Sequence, residues 1–344
     1  LKPAQGSCSK SPQSHPAPQW LPPMGRGRCR AGRGPPRLLA ALALSAQGGV
    51  AEECRDEHPD CAAWAAVGEC ERNPGYMRPH CQASCGCSGV LDRCRRPSDW
   101  TPALRAHGLG AAVEAAMAFR ELRPRLLHAT PPVIEFEAFL SSAEMDELLA
   151  AIRRHGAWQR SPAGGYGAMD LRTSSTSFCV DDCDLTPIVR AVLRRAAEVS
   201  SVPQQNIENV QFLNYSAGQF FRSHTDSRGS FRHAPMGNRI FSLFIYLSDV
   251  EEGGETYFPR LDLAVTPRQG HALLFANVPD EDPDGVDERA SHEGRPVVAG
   301  YKLAANVWIY NYDYRASAGL GCSDISVSDE LERLNYESMK SMEL

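Results

Sequence analysis

The spacing of apolar residues changes near Asn206. Before this point, apolar positions recur at helical intervals in two well-marked segments. The first begins at Ser141, where Glu144 completes the pattern of a capping box, and the second begins at Thr186-Pro187. An alanine-rich stretch over residues 101–123 has the same spacing. The sequence therefore predicts a helix in each of these segments.

After Asn206 the pattern becomes a series of short β-rich runs separated by turn residues. Short strands at such intervals are typical of a double-sheet jelly roll, so we predict a mainly β domain with flanking helices. Gly253-Gly254 predicts a turn, and its acidic neighbours would repel a bound phosphate. The predicted strands are 207–215, 239–247, 261–265, 272–275 and 303–310.

A histidine and an aspartate lie close together in the β-rich half. Because successive strand residues point to opposite faces, His224 and Asp226 would lie on one face of an extended segment. His292 and then Lys302 follow later in the chain. Two imidazoles and one carboxylate can hold divalent iron and leave positions open for a co-substrate and dioxygen. The pattern alone is weak evidence, since such tripeptides arise by chance.

Several blocks of sequence around these residues carry a family resemblance. Together they span about Pro132 to Tyr312, with RTSS at Arg172 to Ser175 as a further landmark. In this order they resemble the catalytic domain of prolyl 4-hydroxylases, which are iron and 2-oxoglutarate dependent dioxygenases. The fold that this implies is the double-stranded β-helix. The blocks are NVQFLNYSAGQFFRSHTD, NRIFSLFIYLSDVEEGGETYFP, PRQGHALLFAN and SHEGRPVVAGYKLAANVWIYN.

The resemblance implies a role for five side chains. His224, Asp226 and His292 would be the iron ligands. Lys302 would pair with the distal carboxylate of 2-oxoglutarate, because an ammonium facing a dry pocket needs an anion; the alternative is a solvated surface lysine. Tyr215 matches a family tyrosine close to the iron and the co-substrate, and its alternative is a core aromatic residue with a satisfied hydroxyl group.

The resemblance also implies an activity and a substrate. Oxidative decarboxylation of 2-oxoglutarate to succinate and carbon dioxide would be coupled to hydroxylation of prolyl residues in a proline-rich peptide or protein. The expected cofactors are Fe(II), 2-oxoglutarate, dioxygen and L-ascorbate, which would rescue iron oxidised in uncoupled cycles. Arg172 and Trp308 are candidates for the peptide groove, with Trp308 also near the co-substrate. A structural role is an equally good interpretation for each of the two.

His271 competes with His292 for the place of the third ligand. It stands where the resembling family usually carries an aspartate, so the sequence departs from the pattern there. We favour His292, because it follows a polar loop and precedes Lys302 by about the family's spacing. His271 is then expected on a strand or turn near the rim of the domain.

A second signature lies in the cysteines of residues 54–87. A segment this short cannot bury an adequate core and depends on covalent links. With Asp56, Trp64, Asn73-Pro74 and Tyr76-Met77, it resembles the ShK-toxin-like (ShKT) module. Spacing alone leaves fifteen pairings open, and zinc binding is a rival interpretation that lacks paired C-x-x-C motifs. The pairing that the resemblance implies is Cys54–Cys87, Cys61–Cys81 and Cys70–Cys85.

The state of the later cysteines is left open by the sequence. A Cys179–Cys183 bridge is conceivable, and a Cys94–Cys322 bridge is a guess. Free buried thiols are an equally good alternative for both pairs.

The N-terminal region has the outline of a secretory signal. Several arginines precede an apolar stretch at residues 38–44, which is too short for a membrane span, so a cleaved signal peptide is favoured over a signal anchor. We expect Met24 to be the initiator, residues 1–23 to be a non-native leader and residues 24–46 to be the signal peptide. The expected location is the lumen of the endoplasmic reticulum or another secretory compartment.

These signals divide the rest of the chain. We expect the ShKT module at residues 54–87, a helical linker at 88–131, the dioxygenase domain at 132–315 and a tail at 316–344. The net charge of −6 and the pI near 6.0 argue against a general nucleic-acid surface.

Two alternative functions remain compatible with these signals. One is a lysyl or other peptidyl hydroxylase, or a small-molecule oxygenase, with the same iron site, because the motifs specify the cofactor more than the substrate. The other is a binding protein whose ShKT module is active and whose jelly roll is inert. The module contains no lysine between Cys54 and Cys87, which removes the cation expected for blocking a potassium channel.

Overall fold

The structure is a computed structural model, and it describes residues 55–86, 93–156, 158–161, 171–323, 327–329 and 331–333. The described residues belong to a unit that spans residues 51–344. The leader and the signal peptide expected before residue 47 lie outside the described residues. Within the described part of the chain, no helix has the length and the apolar character needed to cross a bilayer.

An antiparallel sheet of eight strands forms the centre of the domain. Its middle strands are rich in β-branched and aromatic residues and are buried along almost their whole length. In order across the sheet the strands are β1 (Pro124–Ala129), β2 (Pro132–Phe136), β11 (Ala272–Ala276), β7 (Arg239–Tyr246), β14 (Tyr301–Tyr310), β5 (Gln211–Ser216), β4 (Ser175–Phe178) and β3 (Gln159–Arg160).

A smaller sheet packs face to face against the large one. Phe258 and Val265 of the small sheet form an apolar cluster with Val133, Tyr246 and Phe275 of the large sheet. Two packed antiparallel sheets of this kind confirm the predicted jelly roll. The small sheet contains, in order, β10 (Leu263–Val265), β9 (Thr256–Phe258), β12 (His292–Gly294) and β6 (Phe221–His224), and a separate pair consists of β13 (Val297–Ala299) and β8 (Glu252–Gly253).

The glycine pair is more than the turn that the sequence predicts. Gly253 lies in β8 and pairs with Val297, and both Gly253 and Gly254 have positive φ angles. A β-carbon on Gly253 would lie 2.4 Å from the carbonyl oxygen of Pro296. Only glycine therefore allows this close approach of the two backbones.

Helices cover the face of the large sheet that is turned away from the small sheet. The predicted capping box is confirmed, since Ser141 and Glu144 bond each other's backbone at the start of the helix Ser142–His155. The helix predicted to begin at Thr186-Pro187 is also confirmed, as Pro187–Ser200. The core between helices and sheet includes Leu148, Ile152, Val189, Val192, Leu193, Phe212, Leu243, Ile245, Leu274, Ala305, Val307 and Ile309.

The single helix predicted over residues 101–123 is wrong outside its centre. An α-helix covers only Leu109–Met117, and a short 3-10 helix covers Arg120–Leu122. His107 has a positive φ angle and donates its backbone N–H to the carbonyl of Asp280, so the chain before the helix is held in a non-helical conformation. The linker expected at 88–131 also contains β1, which pairs with β2 as a strand of the domain.

The cysteine-rich segment folds as three short helices, which we number α1 (Cys61–Ala66), α2 (Glu69–Arg72) and α3 (Pro74–His80). The longer helices that follow are α4 (Leu109–Met117), α5 (Ser142–His155) and α6 (Pro187–Ser200), and α7 (Tyr314–Gly319) comes after β14. Disulfides join Cys61 to Cys81 and Cys70 to Cys85, which are two of the three pairs implied by the resemblance. The third pair, Cys54–Cys87, lies outside the described residues.

Two further disulfides lie outside this module. Cys94 is bonded to Cys322, and Cys179 is bonded to Cys183. Both bonds agree with the bridges considered from the sequence, and free thiols at these positions are excluded. The Cys94–Cys322 bond ties the residues after the module to the segment after α7, beyond the domain end expected at residue 315.

We predict that the Cys94–Cys322 bond contributes far more stability than the Cys179–Cys183 bond. Their sequence separations are 228 and 4 residues. In the loop-closure model the long loop corresponds to about 5 kcal/mol and the short loop to about 2 kcal/mol. Replacing Cys94 and Cys322 by Ala should lower the Tm by roughly 10 °C or more, as measured by circular dichroism.

The matched control is the pair of substitutions Cys179→Ala and Cys183→Ala, which removes a disulfide of equal chemistry from a short loop. A drop in Tm as large in this control as in the Cys94 and Cys322 variant would contradict the prediction.

Candidate active site

Three potential metal ligands meet between the two sheets. His224 ends β6 and His292 begins β12, and the two are direct partners in the antiparallel register. Asp226 follows His224 by two residues and brings its carboxylate between them, 3.6 Å from His224 Nε2 and 3.8 Å from His292 Nε2. One ligand atom from each residue lies within 4.8 Å of the others. Among the described residues, this is the one such cluster of three or more histidine, cysteine or acidic side chains.

Both imidazole rings are held by backbone carbonyl groups. Nδ1 of His224 is 2.9 Å from the carbonyl oxygen of Arg222, and Nδ1 of His292 is 3.2 Å from that of Ala290. Since a carbonyl oxygen only accepts, Nδ1 carries the proton in each ring and Nε2 presents its lone pair to the cluster. Phe221 stacks on the His224 ring at a centroid distance of 3.7 Å and limits its rotation.

The electrostatics of the cluster suit a cation. Burial acts to raise the pKa of Asp226, but the neighbouring His292 and His224 outweigh it and hold this pKa well below its usual range. Burial, together with repulsion from His224, lowers the pKa of His292 to about 4. At neutral pH the site therefore holds an ionised carboxylate and a neutral His292 imidazole, which are the forms that bind metal.

Lys302 is a buried cation on the central strand β14. Its side chain is 2 % exposed, and Nζ donates one hydrogen bond to the carbonyl oxygen of Gly254 at 2.8 Å. Burial lowers the pKa of Lys302 to about 7, although Glu255 acts in the opposite direction. None of the described carboxylates forms an ion pair with it. Such an ammonium lacks an anion, and the interpretation as a solvated surface lysine is wrong.

One cavity connects the lysine with the metal cluster. Its wall includes Lys302, Tyr215, His224, His292 and Trp308, and Arg172 lies at the same cavity. Asp226 lies beside the two histidines. The structure therefore brings together every site residue that the sequence and the resemblance indicated.

The same cavity has polar atoms without partners. Gln211 Oε1, Asn306 Oδ1 and Trp308 Nε1 are buried and form no hydrogen bond within the described structure. Gln211 and Asn306 are direct partners in the register of β5 and β14. Buried polar groups are normally satisfied, so these three atoms mark space for a polar ligand or water. The sequence did not single out Gln211 or Asn306, although Asn306 and Lys302 share one face of β14 by strand alternation.

Arg239 is another residue that the sequence analysis did not identify. Its guanidinium lies 3.8 Å above the Trp308 ring and donates to Tyr310 at 2.8 Å and to Glu208 at 3.1 Å. Burial would lower its pKa, but the Tyr310 hydroxyl group and the Glu208 carboxylate more than compensate and raise it. This buried group fixes the Trp308 ring at the end of the cavity.

His271 lies away from the metal cluster. It precedes β11, and its Nδ1 is 3.0 Å from Oε1 of Glu135, a buried carboxylate that also pairs with Arg125. Burial would raise the pKa of Glu135, but the hydrogen bonds from His271 and Arg125 hold it below its usual value. His271 therefore has a partner of its own, which agrees with the preference for His292 in the metal cluster.

The residues present fit iron and 2-oxoglutarate. Two imidazole nitrogens and one carboxylate are the donor set of non-haem iron oxygenases, and they leave room on the cavity side. A dicarboxylate co-substrate would place its second charge at Lys302, the buried cation that lacks an anion.

Comparison with known proteins identifies two regions of the chain. Residues 210–310 match the model of the 2OG-Fe(II) oxygenase superfamily, and residues 53–87 match that of ShK domain-like proteins. Prolyl 4-hydroxylase 2 from Arabidopsis thaliana is 31% identical over 230 residues, which is 58% of this chain and 75% of the relative. The chain belongs to the prolyl 4-hydroxylase family.

Other relatives agree with this membership. Prolyl 4-hydroxylase 1 from Arabidopsis thaliana is 32% identical and covers 55% of this chain and 72% of its own. Prolyl 4-hydroxylase subunit alpha-2 from Caenorhabditis elegans is 28% identical and covers 55% of this chain and 36% of its own. Among solved structures, the viral collagen prolyl hydroxylase of Paramecium Bursaria Chlorella virus-1 has a TM-score of 0.42 and 26% identity, covering 52% of this chain and 95% of its own.

We predict that 2-oxoglutarate binds with uptake of a proton above pH 7. In the free protein the pKa of Lys302 is about 7, and a bound carboxylate would raise it. The Lys302 amine is charged below a pH of about 7, so the affinity for 2-oxoglutarate is highest there. The affinity falls as the pH rises above this value. Between about pH 7 and pH 9 the Kd should increase roughly 50-fold, because one proton is linked to binding. Titration calorimetry with Mn(II) in place of iron measures this change.

Lys302→Arg is the matched control, since a guanidinium stays charged throughout this range. Its Kd for 2-oxoglutarate should be nearly independent of pH, even if its geometry makes binding weaker. Equal pH dependence in the two proteins would rule out Lys302 as the source.

Proposed function

We propose that this chain is a peptidyl-proline 4-hydroxylase that couples oxidative decarboxylation of 2-oxoglutarate to hydroxylation of prolyl residues. The observation that carries the proposal is the cavity shared by the His224, Asp226 and His292 cluster and the buried Lys302. Membership of the prolyl 4-hydroxylase family supports the choice of substrate.

In this proposal each side chain has a distinct task. His224, Asp226 and His292 would hold Fe(II), and Lys302 would orient the distal carboxylate of 2-oxoglutarate, with Tyr215 beside the co-substrate. When bound, iron with 2-oxoglutarate and dioxygen supplies the oxidant: one oxygen atom goes to succinate and the other to the substrate, and carbon dioxide is released. The aromatic and aliphatic walls exclude water, which strengthens the electrostatic contacts inside.

The end of the cavity at Trp308 suits a peptide. Trp308 Nε1 lacks a hydrogen-bond acceptor, and Arg172, whose Nε donates to Ser174, also lines this cavity. A prolyl residue has no N–H but presents carbonyl oxygens on both sides, so it needs donors in the enzyme. We therefore propose Arg172 and Trp308 as the groups that bind the peptide, and Trp308 also borders the co-substrate.

The disulfides indicate the kind of cellular compartment in which the protein resides. Four disulfides in the described structure indicate a protein of the secretory or extracellular type. The more specific proposal is the lumen of the endoplasmic reticulum, reached through a signal peptide at residues 24–46. There L-ascorbate would reduce iron that is oxidised in uncoupled cycles. We propose that residues 54–87 form the ShKT module and that residues 132–315 form the catalytic domain. Strand β1 is added at the start of the catalytic domain.

An inert jelly roll is a weaker interpretation of the same chain. A scaffold without activity has no reason to retain a fully buried lysine that lacks an anion and a buried carboxylate facing two histidines, because each of these buried charges costs stability. A hydroxylase for another peptidyl residue would use the same metal site, so the products must distinguish it from a prolyl hydroxylase.

We predict that His292→Ala and Asp226→Ala each abolish succinate formation, because removal of one ligand leaves too few donors to hold the iron. His271→Ala is the matched control: it removes a histidine that precedes β11 and bonds Glu135 outside the cluster. This variant should retain most of the turnover. Succinate release from labelled 2-oxoglutarate is the measurement, and full turnover in either ligand variant would reject the site assignment.

We also predict that the oxygen atom is added to proline. Collagen-like, proline-rich and lysine-containing peptides of equal length would be incubated with the loaded enzyme, and the products sequenced by mass spectrometry. The expected product carries one added oxygen on a prolyl residue and matches a 4-hydroxyproline standard. Added oxygen on lysine alone, or rapid succinate formation with no modified peptide in any set, would refute the prolyl assignment while leaving the oxygenase site in place.

A further inference from the structure

The Asp226 carboxylate has a third neighbour besides the two histidines. Ser242, on the central strand β7, lies 2.6 Å from Asp226 Oδ2 through its hydroxyl oxygen. Both side chains are buried, and the Ser242 residue has 0% exposure. Because an ionised carboxylate only accepts, the serine hydroxyl is the donor, and the short distance is typical of a charge-assisted hydrogen bond.

A second residue fixes the direction of this hydroxyl group. Asn277 Nδ2 donates to Ser242 Oγ at 2.9 Å and occupies one of its lone pairs. Asn277 is itself held at the end of β11, since its N–H bonds the carbonyl of Ile240 and its carbonyl accepts from the N–H of Asp287. A serine has one proton, so the amide on one side leaves that proton for Asp226 on the other.

Neither residue is explained by the packing of the sheet. Ser242 interrupts the apolar run Arg239–Tyr246, in which it stands opposite Phe275 on one side and Trp308 on the other. A buried hydroxyl group in such a strand costs free energy unless it has a partner that needs it. Its two hydrogen bonds go to a potential metal ligand and to Asn277, which has no other side-chain hydrogen bond within the described residues.

We propose that Ser242 and Asn277 are positioning residues for the metal-binding carboxylate. The hydrogen bond from Ser242 reaches Oδ2, which also lies 3.8 Å from His292 Nε2, while Oδ1 lies 3.6 Å from His224 Nε2. Held in this way, the carboxylate would keep one orientation toward His224 and His292. The carboxylate is then oriented before the metal arrives, which reduces the entropic cost of binding.

Arg239 supports the backbone at the same place without touching the carboxylate. Its guanidinium donates to the backbone carbonyl of Asp226 at 3.4 Å. The backbone and the side chain of Asp226 are therefore held by different residues of β7. The proposed role of Ser242 and Asn277 concerns the side chain alone.

The proposal rests on the metal assignment in the proposed function, and it does not depend on the peptide substrate. The test therefore measures metal affinity directly, as the Kd of Mn(II) for the full chain by titration calorimetry in the absence of dioxygen. Absorption spectra of the Co(II) form report the coordination of the ion. Thermal melting of each variant checks that it is folded.

Ser242→Ala removes the donor and should raise the Mn(II) Kd by roughly 10- to 100-fold, with a changed Co(II) spectrum. Ser242→Thr keeps the hydroxyl group and should stay within about threefold of the wild type. Asn277→Leu removes the fixing amide with little change in volume and should cause an intermediate loss of roughly three- to tenfold. This variant also removes a buried unpaired oxygen, so it provides a second folded protein if Ser242→Ala is unstable.

Ser200→Ala is the matched control. Its hydroxyl group is equally buried and bonds the carbonyl of Ala196 in α6, on the helical side of the sheet. It should leave the Kd and the spectrum unchanged. A similar loss in this control would show that any buried hydroxyl group matters, and it would overturn the proposal.

His292→Ala distinguishes a failure of the metal assignment from a failure of the positioning role. If the wild type binds Mn(II) and His292→Ala does not, the metal assignment holds. An affinity within about twofold of the wild type in both Ser242→Ala and Asn277→Leu would then overturn the positioning role alone. A wild type that binds no metal would overturn the metal assignment and this proposal together.

Discussion

The constraint on which this structure depends is the burial of two opposite charges that do not neutralise each other. The Lys302 ammonium lines the cavity, and the Asp226 carboxylate lies behind it against His224 and His292, yet the two charges do not pair with each other. The carboxylate has imidazoles and one hydroxyl group beside it, and the lysine has one backbone carbonyl. A buried charge costs several kcal/mol unless it is compensated. The site is therefore electrostatically complete only with a cation at one end and an anion at the other.

The antiparallel pairing of the strands brings residues that are distant in sequence into this arrangement. Pairing of β6 with β12 places His224 opposite His292, although the two are far apart in the chain. Alternation along β14 sends Lys302, Asn306 and Trp308 to the cavity, while Leu303, Ala305 and Val307 belong to the core beneath the helices. One strand thus carries the buried lysine, the unpaired polar groups and part of the core. A shift of one residue in its register would exchange these faces.

Local signals in the sequence were sufficient for part of the fold. The cap at Ser141 and the apolar runs of β7, β11 and β14 act within a few residues, and the elements they predict are present. The short strands β6 and β12 carry metal ligands and have too few residues for a periodic pattern, so only their pairing defines them. The helix over 101–123 was overestimated because alanine content favours a helix that contacts near residue 280 interrupt. The partners of Ser242 and His271 are remote in sequence and require the folded sheet.

The segment that follows the cysteine-rich module contacts the loop after Asp226 and is bonded to the segment after α7. Two residues after Cys94, the guanidinium of Arg96 lies 3.8 Å above the Tyr312 ring and donates to the carbonyl oxygens of Pro235 and Ala234, both at 3.0 Å. These carbonyls belong to the loop that runs from Asp226 to β7. The Cys94–Cys322 bond keeps Arg96 at this position by closing the chain around it. The loop that follows Asp226 is therefore restrained by Arg239 and by Arg96, and the Cys94–Cys322 bond adds a covalent constraint close to Arg96.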